Sequence, residues 1–362
     1  FTVASQVDQG RNLFFKETFN GNGRTCGTCH IAGDAFGLSP ASIAALPPSD
    51  PLFIADFNLN TLVLTADSRP SDLRGVITAT NGSTATVLAG SGDTYLIHGG
   101  SALAGTITDG RNTGQFLSFT PGDLNDLERP TLLSGERALI LENIDGFANP
   151  PVMRASPHLL NLALTAPYGL SGEIPDLRAF ATTAVRQHFP RRLDRTENVT
   201  ATQSETLDFR IPAPGERQAM EAFMRTIFLP ADRDFDLDRF ATTEAQKRGG
   251  DLFFGAAKCS ICHSGAVLAQ SDGRLGTTAG VNEAFNTGVA DLPINITDGL
   301  PREPATGSTN TREFSVPPLF GVKNTAPFFH DNSVATLQEA VVFYDSRQFV
   351  SSPAGQQVGP IT

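Results

Sequence analysis

Apolar positions recur at helical spacing over residues 6–19, where Leu13, Phe14 and Phe15 follow Gly10. The same order, Gly249-x-x-Leu252-Phe253-Phe254, returns before residue 259. Apolar side chains grouped this way predict one buried face per helix. Helical patterns also span 174–189, 215–228 and 333–344, and the stretch 124–143 reads as largely helical. Residues 31–74 are Pro-rich, with Pro47-Pro48-Ser49-Asp50-Pro51 as a loop. Between 75 and 119 the period changes. Val76-Ile77-Thr78-Ala79-Thr80 and Thr84-Ala85-Thr86-Val87-Leu88 flank Asn81-Gly82, which predicts a hairpin. Tyr95-Leu96-Ile97-His98 and Gly105-Thr106-Ile107-Thr108 predict two further short strands. The pattern as a whole predicts a mainly α protein with a small β insertion at about 75–119.

A second repeat lies behind the first. Thr165-Ala166-Pro167 and Thr325-Ala326-Pro327 stand 160 residues apart, and Pro157 and Leu159 match Pro317 and Leu319 at the same offset. Each copy leads into one of the predicted helices. The chain therefore reads as two versions of one unit, residues 1–212 and 213–362, joined near Phe209-Arg210-Ile211-Pro212-Ala213-Pro214. A length of 362 residues agrees with two domains.

The chemistry sits directly after the repeated Phe pairs. Cys26-Gly27-Thr28-Cys29-His30 has a second copy, Cys259-Ser260-Ile261-Cys262-His263. Cys-x-x-Cys-His is the spacing of covalent c-type haem attachment. Each thiol adds across one vinyl group of the porphyrin, and the adjacent imidazole becomes the proximal iron ligand. A four-cysteine zinc site or a redox dithiol would use the cysteines but leave both histidines unexplained. The two motifs use all four cysteines, so no disulfide is expected. Attachment of c-type haem requires export, which predicts a periplasmic or extracellular protein. The chain opens on Phe1-Thr2-Val3 with no signal peptide and reads as a mature form. No apolar run reaches membrane-spanning length. A net charge of −11 argues against nucleic acid and favours a basic redox partner, a small cytochrome or cupredoxin. Self-assembly into larger complexes is the alternative.

With both motifs, both Thr-Ala-Pro segments, and Thr325 to Asn332 followed by Ala335 to Val341, the chain resembles the bacterial dihaem cytochrome c peroxidase and MauG superfamily. The resemblance implies two cytochrome c-like helical domains facing a shared interface. The C-terminal haem then receives electrons and the N-terminal haem meets peroxide. It implies a sixth ligand of the C-terminal haem at Tyr344, with Met220 and Met224 as rivals. The family's Trp between the haems falls at Leu170 here, and the Arg that follows falls at Glu173. A calcium ion is implied through the carbonyls of Thr325 and Pro327, but the family's calcium-binding Asn falls at Ala155. Asp232, Asp234, Asp236 and Asp238 lack the Gly and Glu of a calcium loop. His330 matches a structural His of the family. His188, ahead of Pro190, has three readings: a sixth ligand opposite His30, a free distal base, or a helix-end His facing the dipole. His98 and His158 are weaker candidates. Two functions stay open. One is electron transfer through two six-coordinate haems. The other is peroxide reduction with Glu173 or His188 as acid–base residue, with MauG-like oxidation of a partner protein as a third case.

Overall fold

The computed structural model describes residues 3–47, 50–53, 156–189, 209–228, 241–292 and 312–361, and between 75 and 155 the strands given below together with Ala138. Among these residues helix exceeds strand. The first half opens with α1 (Val3–Lys16), α2 (Cys26–Cys29) and α3 (Pro40–Ala45). Ser39 caps α3 by accepting the Ser42 N–H, with Pro40 at the first helical position, where its missing N–H costs nothing.

Eight strands follow: β1 (Gly75–Thr80), β2 (Thr84–Ala89), β3 (Thr94–His98), β4 (Ala102–Thr108), β5 (Thr113–Phe119), β6 (Thr131–Ser134), β7 (Leu139–Glu142) and β8 (Val152–Ala155). Six form an antiparallel sheet in the order β1-β2-β3-β6-β7-β8, and β4 pairs with β5 alone. Strand β1 meets β2 with Val76 opposite Leu88 and Thr80 opposite Ala85. The Asn81-Gly82 turn itself lies outside the described residues. The helix expected over 124–143 is corrected, because β6 and β7 occupy its centre and strands continue to Ala155. Its apolar residues form two short runs, Leu132-Leu133 and Leu139-Ile140-Leu141, separated by Gly135. Runs that short fit a strand as well as a helix, and periodicity does not separate them.

The remaining helices are α4 (Leu177–His188), α5 (Pro214–Met224), α6 (Glu244–Phe254), α7 (Leu337–Phe343), α8 (Arg347–Ser351) and α9 (Pro353–Val358), with a two-stranded pair of β9 (Ala284–Phe285) and β10 (Phe314–Ser315). Asp176 caps α4 by accepting the N–H groups of Arg178 and Ala179. Thr336 caps α7 by accepting that of Glu339. Each capped helix follows the same series of features. A short 3-10 turn, Leu162–Leu164 or Val322–Asn324, leads to an isolated bridge, Tyr168 to Ile174 or Phe328 to Val334.

Among the described residues the largest core forms where α1 crosses α5. Leu13 and Phe14 pack with Ala219, Met220, Phe223 and Met224, and α4 adds Leu177, Ala181 and Val185. Glu221 of α5 accepts from Arg178 of α4 at 2.5 Å and from Arg225 at 2.8 Å. The helix expected to open the second half thus packs with the first. Met220 and Met224 are buried in that core. They stand among the neighbours of Phe14 and not in the clusters around the second motif, so they are not the rivals of Tyr344 that the sequence suggested.

Candidate haem-binding sites

At the first motif, α2 is a single turn closed by Thr25 and Thr28, whose backbone N–H and hydroxyl lie 2.9 Å apart. The two thiols face different cores. Cys26 packs against the α1–α5 core with Phe15 and Phe36. Cys29 and Ile31 pack against Leu38, Ile43, Leu52 and Ala138. The buried Arg24 ties these regions together, donating from Nε to Pro51 O at 3.2 Å and from Nη2 to Leu52 O at 3.1 Å.

The imidazole of His30 is oriented by the loop that follows it. Its Nδ1 lies 2.9 Å from Phe36 O. A carbonyl oxygen only accepts, so Nδ1 carries the proton and Nε2 presents its lone pair. Ser156 stands 3.3 Å from the same nitrogen and donates its hydroxyl to Cys29 O at 2.8 Å. At the second motif His263 Nδ1 lies 2.9 Å from Leu268 O. Both loops close with a bridge, Ile31 to Gly37 and Ser264 to Gln270. In both, the accepting carbonyl belongs to a left-handed residue, Phe36 at φ 58° and Leu268 at φ 56°. That conformation costs a non-glycine residue about 1 kcal/mol, and strain of this kind is concentrated at functional sites. Burial pushes His263 down to about 4, against the raising effect of its bonds to the Leu268 and Pro317 backbones, which keeps the imidazole neutral. A neutral imidazole anchored at Nδ1 is the form that ligates iron through Nε2.

Burial pushes the thiols of Cys26 and Cys262 up to about 12 and raises Cys259. A redox dithiol needs the opposite shift. Among the described residues no three His, Cys, Asp or Glu side chains converge, so the two Cys pairs do not meet as a four-cysteine zinc site requires. Two thiols facing apolar cores beside an oriented imidazole fit a porphyrin.

Tyr344 ends α7. It packs among Val289, Phe343 and Phe349, with the Phe349 ring 5.0 Å away. Its phenol is raised above its ordinary range, first by burial and then by the nearby Cys262 and Cys259 thiols. The fold therefore brings Tyr344 to the second motif. His188 ends α4 next to the segment that enters the first motif. Its carbonyl accepts from Asn22 Nδ2 at 2.9 Å, the Asn22 N–H binds Phe189 O at 2.9 Å, and Phe19 and Phe189 stack at 5.6 Å.

Glu173 is exposed. It accepts from the N–H and hydroxyl of Ser171 at 3.1 and 2.9 Å, so its carboxylate is folded into its own turn. The Leu170 carbonyl accepts from Ser315 N at 2.7 Å, which places this position at the contact between the halves. His158 is pushed down to about 4 by burial, with Leu160 N donating to its Nδ1 at 3.3 Å. His98 lies on β3 with Thr84 and Thr131 as pairing neighbours. His330 is buried against Phe314 at 4.4 Å, and its carbonyl accepts from Ala155 N. Asp232, Asp234, Asp236 and Asp238 lie outside the described residues. Sequence reasoning missed Arg24, Asn22 and Ser156. Ser156 gave no signal, since its counterpart in the second repeat is Val316.

No family model matches the chain. Curated relatives do. Cytochrome-c peroxidase IdrP2 of Denitromonas iodatirespirans is 31% identical over 137 residues, which cover 32% of this chain and 35% of the relative. Cytochrome c peroxidase Ccp of Escherichia coli (strain K12) is 34% identical over 131 residues, covering 34% of this chain and 25% of the relative. The chain thus matches between a quarter and a half of the length of these proteins. The crystal structure of a MauG-like protein associated with microbial copper homeostasis aligns over 98% of this chain and 81% of its own, at 17% identity and a TM-score of 0.43, too distant to argue from. The sequence matches fall on bacterial cytochrome c peroxidases, to which this chain is similar over part of its length.

Proposed function

We propose that this protein is an exported dihaem c-type cytochrome that passes electrons between two covalently held haems. One is attached at Cys26 and Cys29 with His30 beneath it, the other at Cys259 and Cys262 with His263. The observation that carries this reading is the matched pair of loops that hold His30 and His263 by Nδ1, each through the carbonyl of a left-handed residue. The repeat supports a domain for each haem, 1–212 and 213–362, with the strands of the first half as an insertion.

Each haem supplies an iron that takes up and gives back one electron. The chain supplies the rest. Phe36 O and Leu268 O hold the proximal imidazoles in one tautomer. Tyr344, buried beside the second motif, would supply a phenolate oxygen to the iron there, a donor that favours the ferric state and a low potential. His188 would supply its imidazole to the iron at the first motif, from a helix end that Asn22 ties to the approach to Cys26. The net charge of −11 suits a basic redox partner.

A second reading is peroxide reduction, favoured by the names of the curated relatives. In that case the first iron keeps an open position, and His188 or the Glu173 carboxylate holds and returns the proton. Electron paramagnetic resonance of the oxidised protein separates the two. Electron transfer expects low-spin signals only, and a mass exceeding the peptide by two acid-stable haems. A high-spin haem with brisk peroxide turnover would establish the peroxidase reading, and a single or extractable haem would end both.

A further inference from the structure

The two motif histidines share one anchor and differ in another. The shared anchor runs from Nδ1 to the carbonyl of a left-handed residue, Phe36 or Leu268, at 2.9 Å. His263 is also bonded to the Pro317 backbone. At His30 a side chain reaches the ring, the Ser156 hydroxyl, 3.3 Å from Nδ1. The repeat puts Val316 at the Ser156 position. Val316 packs with Phe285 and Ala354 beside Cys262, as Ser156 stands against Cys29. The position therefore lies at the second cysteine of its motif in both halves, and it carries a hydroxyl in the first half alone.

The donors fix which way this contact runs. Ser156 has one O–H, and it donates to Cys29 O at 2.8 Å. Toward His30 the oxygen therefore offers only a lone pair. Nδ1 carries the ring proton, because Phe36 O can only accept it. That proton is thus shared between a carbonyl and a hydroxyl oxygen. Contacts on both sides hold the serine in place. Ala155 N, one residue earlier, donates to His330 O at 3.0 Å. A methyl group on Gly37 would meet Ser156 O at 3.6 Å, so the serine backbone lies close to the loop that carries Phe36. An acceptor on Nδ1 makes the imidazole a more basic ligand, and a more basic ligand favours ferric iron. We propose that Ser156 is a positioning residue that lowers the potential of the first haem through its lone pair on the His30 Nδ1–H, a contribution that the Val316 side chain cannot make at the second. The proposal rests on the haem attachment given above, which electron transfer and peroxide reduction share.

The test is the midpoint potential of each haem in the haem-loaded protein, read by nuclear magnetic resonance from the shifted proton signals of its own histidine during a redox titration. Losing an outer partner of a ligating histidine alters a metal site by about tenfold or more, and because this bond is long and shared an effect of about threefold is expected. Ser156→Ala should move the reduction equilibrium of the first haem about threefold toward the ferrous form, equivalent to about 28 mV for one electron. The second haem should stay in place. Ser156→Val, which installs the residue of the second half, should give the same shift. Ser156→Thr keeps the hydroxyl and should keep the parent's potential. A serine that only braced the Cys29 carbonyl would lower stability without moving the potential. Three results would overturn the proposal and leave the haem attachment standing: no shift at the first haem in Ser156→Ala or Ser156→Val with two haems bound, equal shifts at both haems, or the same shift in Ser156→Thr. A parent protein with a single or extractable haem would remove the attachment and the proposal with it.

Discussion

Replacing Gly10 with Ala tests the joint on which the first half is built. The added methyl group would sit 1.9 Å from Ala219 O and 2.5 Å from Ala219 C, where ordinary contact begins at 3.4 Å. Both atoms are backbone, so no side chain can swing away. The helices must part by about 1.5 Å at the crossing. Overpacking of a filled core costs about 1–3 kcal/mol, and a clash with main chain falls at the upper end of that range. Ala regains about 1 kcal/mol of helix propensity over Gly. The gap opened beside Leu13, Phe14 and Phe223 adds to the loss, and a net destabilisation of about 2 kcal/mol follows. The displacement also reaches the haem site, because the Phe14 ring lies 6.4 Å from that of His30. Guanidinium unfolding of the haem-loaded protein, followed by far-ultraviolet circular dichroism and by the Soret band, should show an earlier midpoint for Gly10→Ala. Gly249→Ala is the control. Its methyl group meets nothing, so its midpoint should stay or rise by the equivalent of up to about 1 kcal/mol. A Gly10→Ala midpoint at or above that of the parent would refute the backbone-to-backbone crossing.

Three further outcomes are expected. In Tyr344→Phe the second iron should lose an anionic ligand and its potential should rise; an unchanged spectrum and potential would show that Tyr344 is not a ligand. His188→Ala should convert the first haem from low-spin to high-spin and quicken its reaction with peroxide, and an unaltered resonance spectrum would remove His188 from the iron. Burial holds His158 at about 4 in the folded protein, below its ordinary 6.5. The unfolded chain then binds a proton first, so this stability is complete above about pH 6.5 and is lost as pH falls toward 4. The loss is about 1–3 kcal/mol, since His158 keeps some exposure to water, and His158→Gln should flatten stability between those limits; an unaltered slope would assign the pH dependence elsewhere.

Much of the site was legible because its chemistry is local in sequence. Five residues specify each haem motif, and the anchoring carbonyls of Phe36 and Leu268 follow within six residues of their histidines. The capped helices after each Thr-Ala-Pro segment were legible for the same reason, since Asp176 and Thr336 act on the next few N–H groups. What escaped depends on contacts distant along the chain. Whether Met220 faces the first or the second half is decided by Gly10 some two hundred residues earlier, and the spacing of methionines carries no trace of that. Ser156 acts on His30 across 126 residues. The strands β6 and β7 were misread because apolar runs of two or three residues suit either period.

Bonds that join the two halves run close to both His30 and His263. Ala155 N donates to His330 O at 3.0 Å, one residue from the Ser156 that holds Cys29 and His30. Asn282 Nδ2 donates across to Thr165 O at 3.3 Å and, within the second half, to Val316 O at 3.0 Å, beside the Pro317 whose backbone faces His263. Asn161 Nδ2 donates to Phe320 O at 3.2 Å, and Ser315 N to Leu170 O at 2.7 Å. Each of these links pairs an amide N–H with a backbone carbonyl. None is an ion pair, so salt and neutral pH leave them intact. The ion pair of Arg178 with Glu221 also spans the two halves, but the Arg178 side chain is half exposed and the pair is screened. Under the proposed electron transfer, the separation of the two centres has to stay fixed while the encounter with a partner responds to charge. The neutral ties named here hold the halves without depending on salt, and the net charge of −11 on the whole chain acts on the encounter.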